Sequence, residues 1–367
     1  MGVKNSALTD LIATTLEDLP KQEFEVMWDN TEYEFCRIYQ KERTEIDGGT
    51  AISRRVMLDN TGAAKYRRLY DVDEPTVSDV MDTITVPWTQ IGTDYSWEKL
   101  EILRNANSAA GFVDLLDTRR IDGLWSLANL IEERAWKTPT NSGDDLYPYG
   151  VPYYLNYLNA DITASGFSGQ TIRFQDATTG TVCAGLDAST NPKWRNYAAT
   201  YVDVDAAMID TFREAFMRTN FKVPLNVKDP SKNASSAKRF YGGYDVLTKL
   251  MRLADAKDDN HSGRDVLSNL RVDDGGTVMI NRLPGVYINE LDDVTDPVTG
   301  DATDPLYCVD FAKFVPVVQS GYWMVESEPM TDRRQHTTFT VFLDGSHNNL
   351  CTNRRKAGFV IHKPITS

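Results

Sequence analysis

The chain has 367 residues, 41% of them hydrophobic and 25% charged, with 39 Lys and Arg against 53 Asp and Glu for a formal net charge of -14. That composition supports a buried core, and about 150 residues per domain allows two domains or one elaborate one. So acidic a surface repels phosphate backbones and anionic lipid, which argues against a dedicated nucleic-acid binder, and no run approaches the ~18 apolar residues of a membrane-spanning helix.

The opening stretch, MGVKNSALTDLIATTLEDLP, lacks the apolar segment and cleavage site of a signal peptide. Gly2 and Ser6 meet the minimal N-myristoylation pattern, one that short sequences often meet by chance. Leu8, Ile12 and Leu16, spaced by four, predict a short helix over 6–18, with Pro20 just past its end. EFEVMWDN then alternates weakly.

Residues 35–70 read as an extended arm. FCRIYQKE and SRRVML predict strands, and DGG (47–49) and DNTG (59–62) are turn signals. Its basic residues are Arg37, Lys41, Arg43, Arg54, Arg55, Lys65, Arg67 and Arg68, against Glu42, Glu45, Asp47 and Asp59, so the arm is locally positive in an acidic chain. An isolated two-stranded hairpin is marginal in water, so this one needs a surface to pack on, and its charge suggests an acidic one.

Residues 76–100 alternate and predict further strands. A long helix follows over 112–136, with Ile121, Leu124, Trp125, Ala128, Ile131 and Ala135 on one apolar stripe and Trp125 expected in the core. Residues 140–200 are irregular, Tyr-rich and then Gly-, Thr- and Ser-rich. Asp205 to Asn220 predicts an amphipathic helix with Met208, Ile209, Phe212, Ala215 and Phe216 inward, and Tyr244 to Ala254 predicts another. Short strands (VMIN, VYIN), an acidic loop over 292–305, and the strand-like runs LYCVDF, FVPVV, YWMVE, TTFTVFL and AGFVIH complete the chain.

A search for chemistry assembles no constellation. Cys36, Cys183, Cys308 and Cys351 form no CxxC pair and read as reduced, small apolar residues of a cytosolic setting. His261, His336, His347 and His362 show no metal-binding spacing, and no nucleophile elbow or phosphate-binding glycine loop is present. Asp258, Asn260 and Ser262 begin like a calcium loop, but the twelfth position is Asn269 where a bidentate Glu is needed, so an acidic surface loop is the expectation. The adjacent Asp pairs sit in polar loops, the usual place of solvated carboxylates. No cofactor, metal or catalytic residue is expected.

Four stretches carry a resemblance: AGLDASTNPKWRN (184–196), FYGGYDVLTKLMRL (240–253), GTVMINRLPGVYINELDD (276–293) and LCTNRRKAGFVIHKP (350–364). In this order, after a basic extension and a long helix, they resemble the major capsid proteins of tailed bacteriophages with the Hong Kong 97-type fold. The resemblance implies an α+β chain: an N-terminal arm (1–34), an extended loop (35–75), a peripheral domain (76–196) with its spine helix at 112–136, an axial domain (mainly 197–305), and strands returning to the peripheral domain (306–367). It implies self-assembly into the hexamers and pentamers of an icosahedral head. Portal, scaffolding and decoration proteins are the expected partners, around double-stranded DNA held without sequence-specific contacts. Assembly is expected in the host cytoplasm, with no membrane.

Under that resemblance the arm's partner is the neighbouring subunit, met through Arg54, Arg55, Arg67 and Arg68, unless these are merely solvated. Trp194 and Arg195 either fix the domain junction or are a core Trp beside a surface Arg. Arg354 and Arg355 either face the shell interior or a subunit contact, or lie on a strand's solvent face. Two alternatives stay open: the shell of an encapsulin-type bacterial nanocompartment, and a mixed α/β enzyme.

Overall fold

The computed structural model describes residues 33–59, 64–69, 80–104, 109–158, 165–221, 238–258, 270–272, 276–331 and 337–365. The helix expected over 6–18, the acylation pattern at Gly2 and Ser6, His261, His336 and the calcium-like loop beyond Asp258 lie outside them.

The described chain begins with a helix, α1 (Glu34–Lys41), where a strand was expected. Phe35, Ile38 and Tyr39 decide this: they fall at helical spacing and all three are buried on one face. A short strand β1 (Thr44–Ile46) leads into β2 (Ala51–Met57), which pairs antiparallel with β3 (Met81–Pro87) from Ala51 opposite Pro87 to Met57 opposite Met81. The hairpin's second strand is therefore 81–87. Its base is packed: Ile52, Ile84 and Val86 are at most 2% exposed, so the arm has a local core at its root. Strand β4 (Thr89–Glu98) carries the chain to the long helix α2 (Ala109–Ala135).

Among the α2 residues whose burial is described, Gly123, Leu127, Ile131, Glu132 and Ala135 are buried, and the apolar ones lie to one side of the expected stripe. Ile131 and Ala135 belong to both sets, whereas Leu124 is exposed and Trp125 only half-buried. The expected core role of Trp125 is thus corrected: the indole borders an open groove and donates to the hydroxyl of Tyr33 (2.8 Å).

The Tyr-rich stretch after α2 is not weakly structured. Tyr153, Tyr154 and Leu155 are buried, and Tyr149 stacks on Tyr153 with ring centres 4.0 Å apart. Then come β5 (Gly166–Gly169), β6 (Asn196–Thr200) and α3 (Ala206–Thr219). Asp205 caps α3 by accepting from the amide of Met208 (3.0 Å), satisfying a donor that a helix start leaves unpaired. Further along come β7 (Lys238–Gly242), α4 (Tyr244–Asp258), β8 (Leu270–Val272), β9 (Val278–Ile280), β10 (Leu283–Tyr287), β11 (Leu306–Asp310), β12 (Phe314–Gln319), β13 (Thr338–Cys351) and β14 (Gly358–His362), with shorter pieces between.

Two larger sheets organise these strands. In one, β13 pairs with β4 from Thr338 opposite Glu98 to His347 opposite Thr89, and its end pairs with β12, whose outer neighbour is β1. The other has eight strands in the order β8-β9-β10-β7-β11-β14-β6-β5. The segment 306–367 contributes to both sheets.

The eight-stranded sheet is a wall between two cores. Ala198, Tyr241, Tyr307, Val309 and Val360 face the core built on α1, α2 and the hairpin root. Their strand neighbours Tyr197, Phe240, Leu306, Cys308, Phe359 and Ile361 face the core under α3 and α4. Strand side chains alternate between faces, so a strand buried on both sides reads as a continuous apolar run, as LYCVD and GFVIH do. Gly358 is required where it stands: its φ is +152°, and a Cβ there would lie 1.9 Å from the carbonyl oxygen of Cys308.

Candidate interaction surface

The arm is exposed beyond its packed root. Arg54 and Arg55 are exposed on β2, opposite Ile84 and Thr83. Lys65, Arg67 and Arg68 are exposed beyond the strand. Large apolar side chains lie among them: Met57 and Met81 face each other across the hairpin at 49% and 53% exposure, and Tyr66 and Leu69 are at 108% and 84%. Single exposed apolar residues are ordinary, but several large ones exposed together among polar neighbours mark an interaction surface. Polar contacts tie the arm to the body. The amide of Thr85 donates to Ala184 (3.0 Å), and Lys193 pairs with Asp59 (2.5 Å).

The other residues singled out by sequence lie in the body, two of them buried and two half-buried. Trp194 is buried, and its indole N–H donates to the carbonyl of Cys183 (3.1 Å). Arg195 is half-buried and braces the preceding loop, donating to the carbonyls of Ala188 (2.8 Å) and Ser189 (2.9 Å). Arg354 has no solvent exposure, which corrects both placements expected for it. It stands in the turn Arg354–Ala357, opened by Asn353, and its guanidinium donates to the carbonyls of Tyr154 (2.9 Å) and Trp194 (2.8 Å) and to Asn196 Oδ1 (3.1 Å). A cation so enclosed is tolerated because its donors are satisfied, and it meets no partner or shell interior. Arg355 remains half-buried at the surface, over the ring of Phe167 at 4.5 Å and donating to the carbonyl of Pro192 (3.2 Å).

A second buried polar junction escaped the sequence reading. Glu132 of α2 is fully buried and accepts from the amide of Phe35 (2.8 Å) and the indole of Trp136 (2.9 Å), so the long helix caps the start of α1. Burial pushes its carboxyl up to about 7. Beside it, Glu34 accepts from the hydroxyl of Tyr241 (2.9 Å) and pairs with Arg239 (3.1 Å), which also pairs with Glu42 (2.6 Å). Arg239 and Tyr241 belong to β7, so the junction joins α1, α2 and the eight-stranded sheet. No local pattern announces it, since its members lie about 100 residues apart.

Burial also keeps the described cysteines and histidines in their neutral forms. The four cysteines are free, and burial pushes the thiols of Cys36, Cys308 and Cys351 up to about 12 and that of Cys183 to about 11. Thiols so raised are poor nucleophiles. Burial lowers both His347 and His362 to about 4. Among the described residues no group of three or more His, Cys, Asp or Glu is placed to hold a metal ion, and no helix is long and apolar enough to cross a membrane.

No family model matches the sequence, and no curated protein matches it. Solved structures do match. A chain of the cyanophage A-1(L) capsid asymmetric unit is similar at 14% identity and a TM-score of 0.59, over 97% of this chain and 99% of that one. A chain from the capsid of a native GTA particle is similar at 10% identity and a TM-score of 0.50, over 95% of each. The fold is the Hong Kong 97-type capsid fold.

Proposed function

We propose that the chain is the major capsid protein of a tailed double-stranded DNA bacteriophage, assembling with itself into the hexamers and pentamers of an icosahedral head. The reading is carried by a capsid fold running through nearly the whole chain, 97% of which is covered by the similar capsid chain. The arm supports it. A segment that is fully buried only at its root among the described residues, and beyond it displays exposed arginines and four large apolar side chains, makes sense as half of an interface. Copies arranged head to tail around a ring supply the other half, and a standard interface buries about 1,600 Å².

In this reading Arg54, Arg55, Arg67 and Arg68 set the register of the contact, while Met57, Tyr66, Leu69 and Met81 supply its apolar anchor. Trp194 and Arg354 hold the body rigid beneath the arm. The chain works as a structural protein without cofactor or catalysis. Portal, scaffolding and decoration proteins are its further partners in the host cytoplasm. Its acidity suits a container for DNA, because a lining that neutralised many phosphates would bind the genome tightly and hinder its release.

Negative-stain electron microscopy of the protein expressed alone, with sedimentation alongside, tests the reading. Rings of five and six subunits, sheets or closed shells are expected. A species that stays monomeric at high concentration, with and without co-expressed scaffold, would overturn it.

A further inference from the structure

A cavity of about 360 Å³ lies in the body of the subunit, where the end of α2 meets the loop between β10 and β11. None of its lining residues belongs to the arm. Its size is at the lower end of the roughly 300–1,000 Å³ of small-molecule sites, and apolar side chains such as Leu155, Leu291 and Val294 share the lining with a few charged ones. We propose that it is a binding site for a small aliphatic diamine, a dication with an apolar stem.

Charge sets the sign of the ligand. Two cations line the cavity, and each is matched by a carboxylate outside the lining: Lys137 pairs with Glu133 (2.8 Å) and Arg173 with the buried Asp296 (2.5 Å). The two carboxylates of the lining, Glu290 and Asp292, form no ion pair with the described residues. Asp292 accepts from neutral donors, the amide of Tyr244 (2.7 Å) and the hydroxyl of Tyr287 (2.6 Å). Glu290 is half-buried, and its desolvation raises its carboxyl above the usual range. The charge left over is negative, and an ammonium beside Glu290 offsets that desolvation.

An orphaned hydroxyl is the second, independent observation. Tyr307 lines the cavity and is fully buried, and its hydroxyl has no hydrogen-bond partner among the described residues. The neighbouring Tyr157, its ring stacked on that of Tyr307 with centres 6.4 Å apart, engages Thr303 (3.3 Å). Oδ1 of Asp296, which stands between the lining residues Thr295 and Pro297 in sequence, is a further buried acceptor without a partner. Buried polar groups are seldom left unpaired, so these two call for a donor that enters the cavity. An ammonium donates to phenol and carboxylate oxygens, and it is also drawn to the faces of tyrosine rings. The apolar part of the lining suits the stem between two such groups.

The site stands apart from the arm and from self-assembly, so its test depends on neither. Isothermal titration calorimetry of 1,4-diaminobutane into the unassembled full chain at neutral pH is expected to show one molecule per chain, half-saturating at about 1 mM or below, within reach of a ligand of so few atoms. Glu290→Gln should weaken binding about tenfold or more, and Tyr307→Phe about threefold or more. Neither threatens the fold, since Glu290 makes no ion pair and Tyr307→Phe removes only an unpartnered hydroxyl. Glu328→Gln, at an exposed carboxylate outside the lining, controls for general attraction to an acidic chain and should change nothing. The absence of saturable binding in the millimolar range, as from a cavity that holds only water, would overturn the proposal. So would binding that neither lining variant weakens, or that Glu328→Gln weakens equally. Binding of acetate in place of the diamine would give the cavity to an anion and overturn it as well.

Discussion

The guanidinium of Arg354 donates to the carbonyl oxygen of Trp194 at 2.8 Å, and neither side chain is more than 1% exposed. The two residues are 160 positions apart, and the same cation also holds Tyr154 and Asn196. One side chain thus fastens the last turn of the chain to the Tyr-rich segment and to the edge of the eight-stranded sheet.

Removing that cation is expected to be costly. Arg354→Met leaves several buried acceptors without donors, each worth about 1–3 kcal/mol, and should destabilise the subunit by about 4 kcal/mol. Arg354→Lys keeps the charge but not the planar fork and should recover less than half of the loss. Urea denaturation midpoints check both; a change below about 1 kcal/mol for the Met variant would refute the bracing role.

Charge reversal on the arm should separate folding from assembly. Arg54 and Arg55 are exposed, so Arg54→Glu with Arg55→Glu is expected to change stability by under about 0.5 kcal/mol. Subunit association should weaken about tenfold or more and lose much of its salt dependence, since each lost charge contact acts mainly on register and encounter rate. Sedimentation velocity across a range of salt concentrations gives the comparison; unchanged assembly would show that the arginines are merely solvated.

Two buried groups should tilt stability in opposite directions with pH. Glu132 binds its proton more tightly in the folded chain, at about 7 against 4.5, so its contribution is full below about pH 4.5 and is lost as pH rises through 7. Glu132→Gln should flatten that slope, an effect of about 3 kcal/mol at most. Denaturation midpoints at about pH 5 and pH 8 decide it, and an unchanged difference between the two would exclude the role.

His362 runs the other way. Its Nε2 accepts from the amide of Leu158 (2.9 Å), which requires the neutral ring. Burial lowers it to about 4 from 6.5, so its contribution is present above about pH 6.5 and is lost as pH falls through 4. His362→Gln keeps an acceptor that does not titrate in this range, and should make the protein less sensitive to acid between these limits. Thermal melts across the same window provide the check.

The sequence made some of this legible and concealed the rest for physical reasons. Strict alternation in MDTITVP and TQIGTDYSWE exposed β3 and β4, because each buries one face. Asp205 followed by an apolar stripe exposed α3. FCRIYQK misled, since Phe, Ile and Tyr favour strands in isolation while their spacing here puts Phe35, Ile38 and Tyr39 on one helical face. In α2 the apolar residues occupy more than one face, so periodicity alone could not say whether Leu127 or Leu124 turned inward. Arg354 was unreadable for another reason: arginine is normally a surface residue, and its acceptors are backbone carbonyls scattered over the fold, which leave no mark in any local pattern.

Because the eight-stranded sheet has its two faces in different cores, no flexible joint separates those cores. A push on α3 or α4 passes directly through hydrogen-bonded strands to α2 and the hairpin root, as load passes through a shared party wall. Such a body yields least in its middle. Compliance is left to the solvent-facing side of the hairpin beyond Ile52 and Ile84, where Arg54, Arg55, Met57 and Met81 are exposed. The subunit is therefore built as a stiff tile with a pliant tab, so that unequal surroundings are absorbed at the tab while the tile keeps its shape.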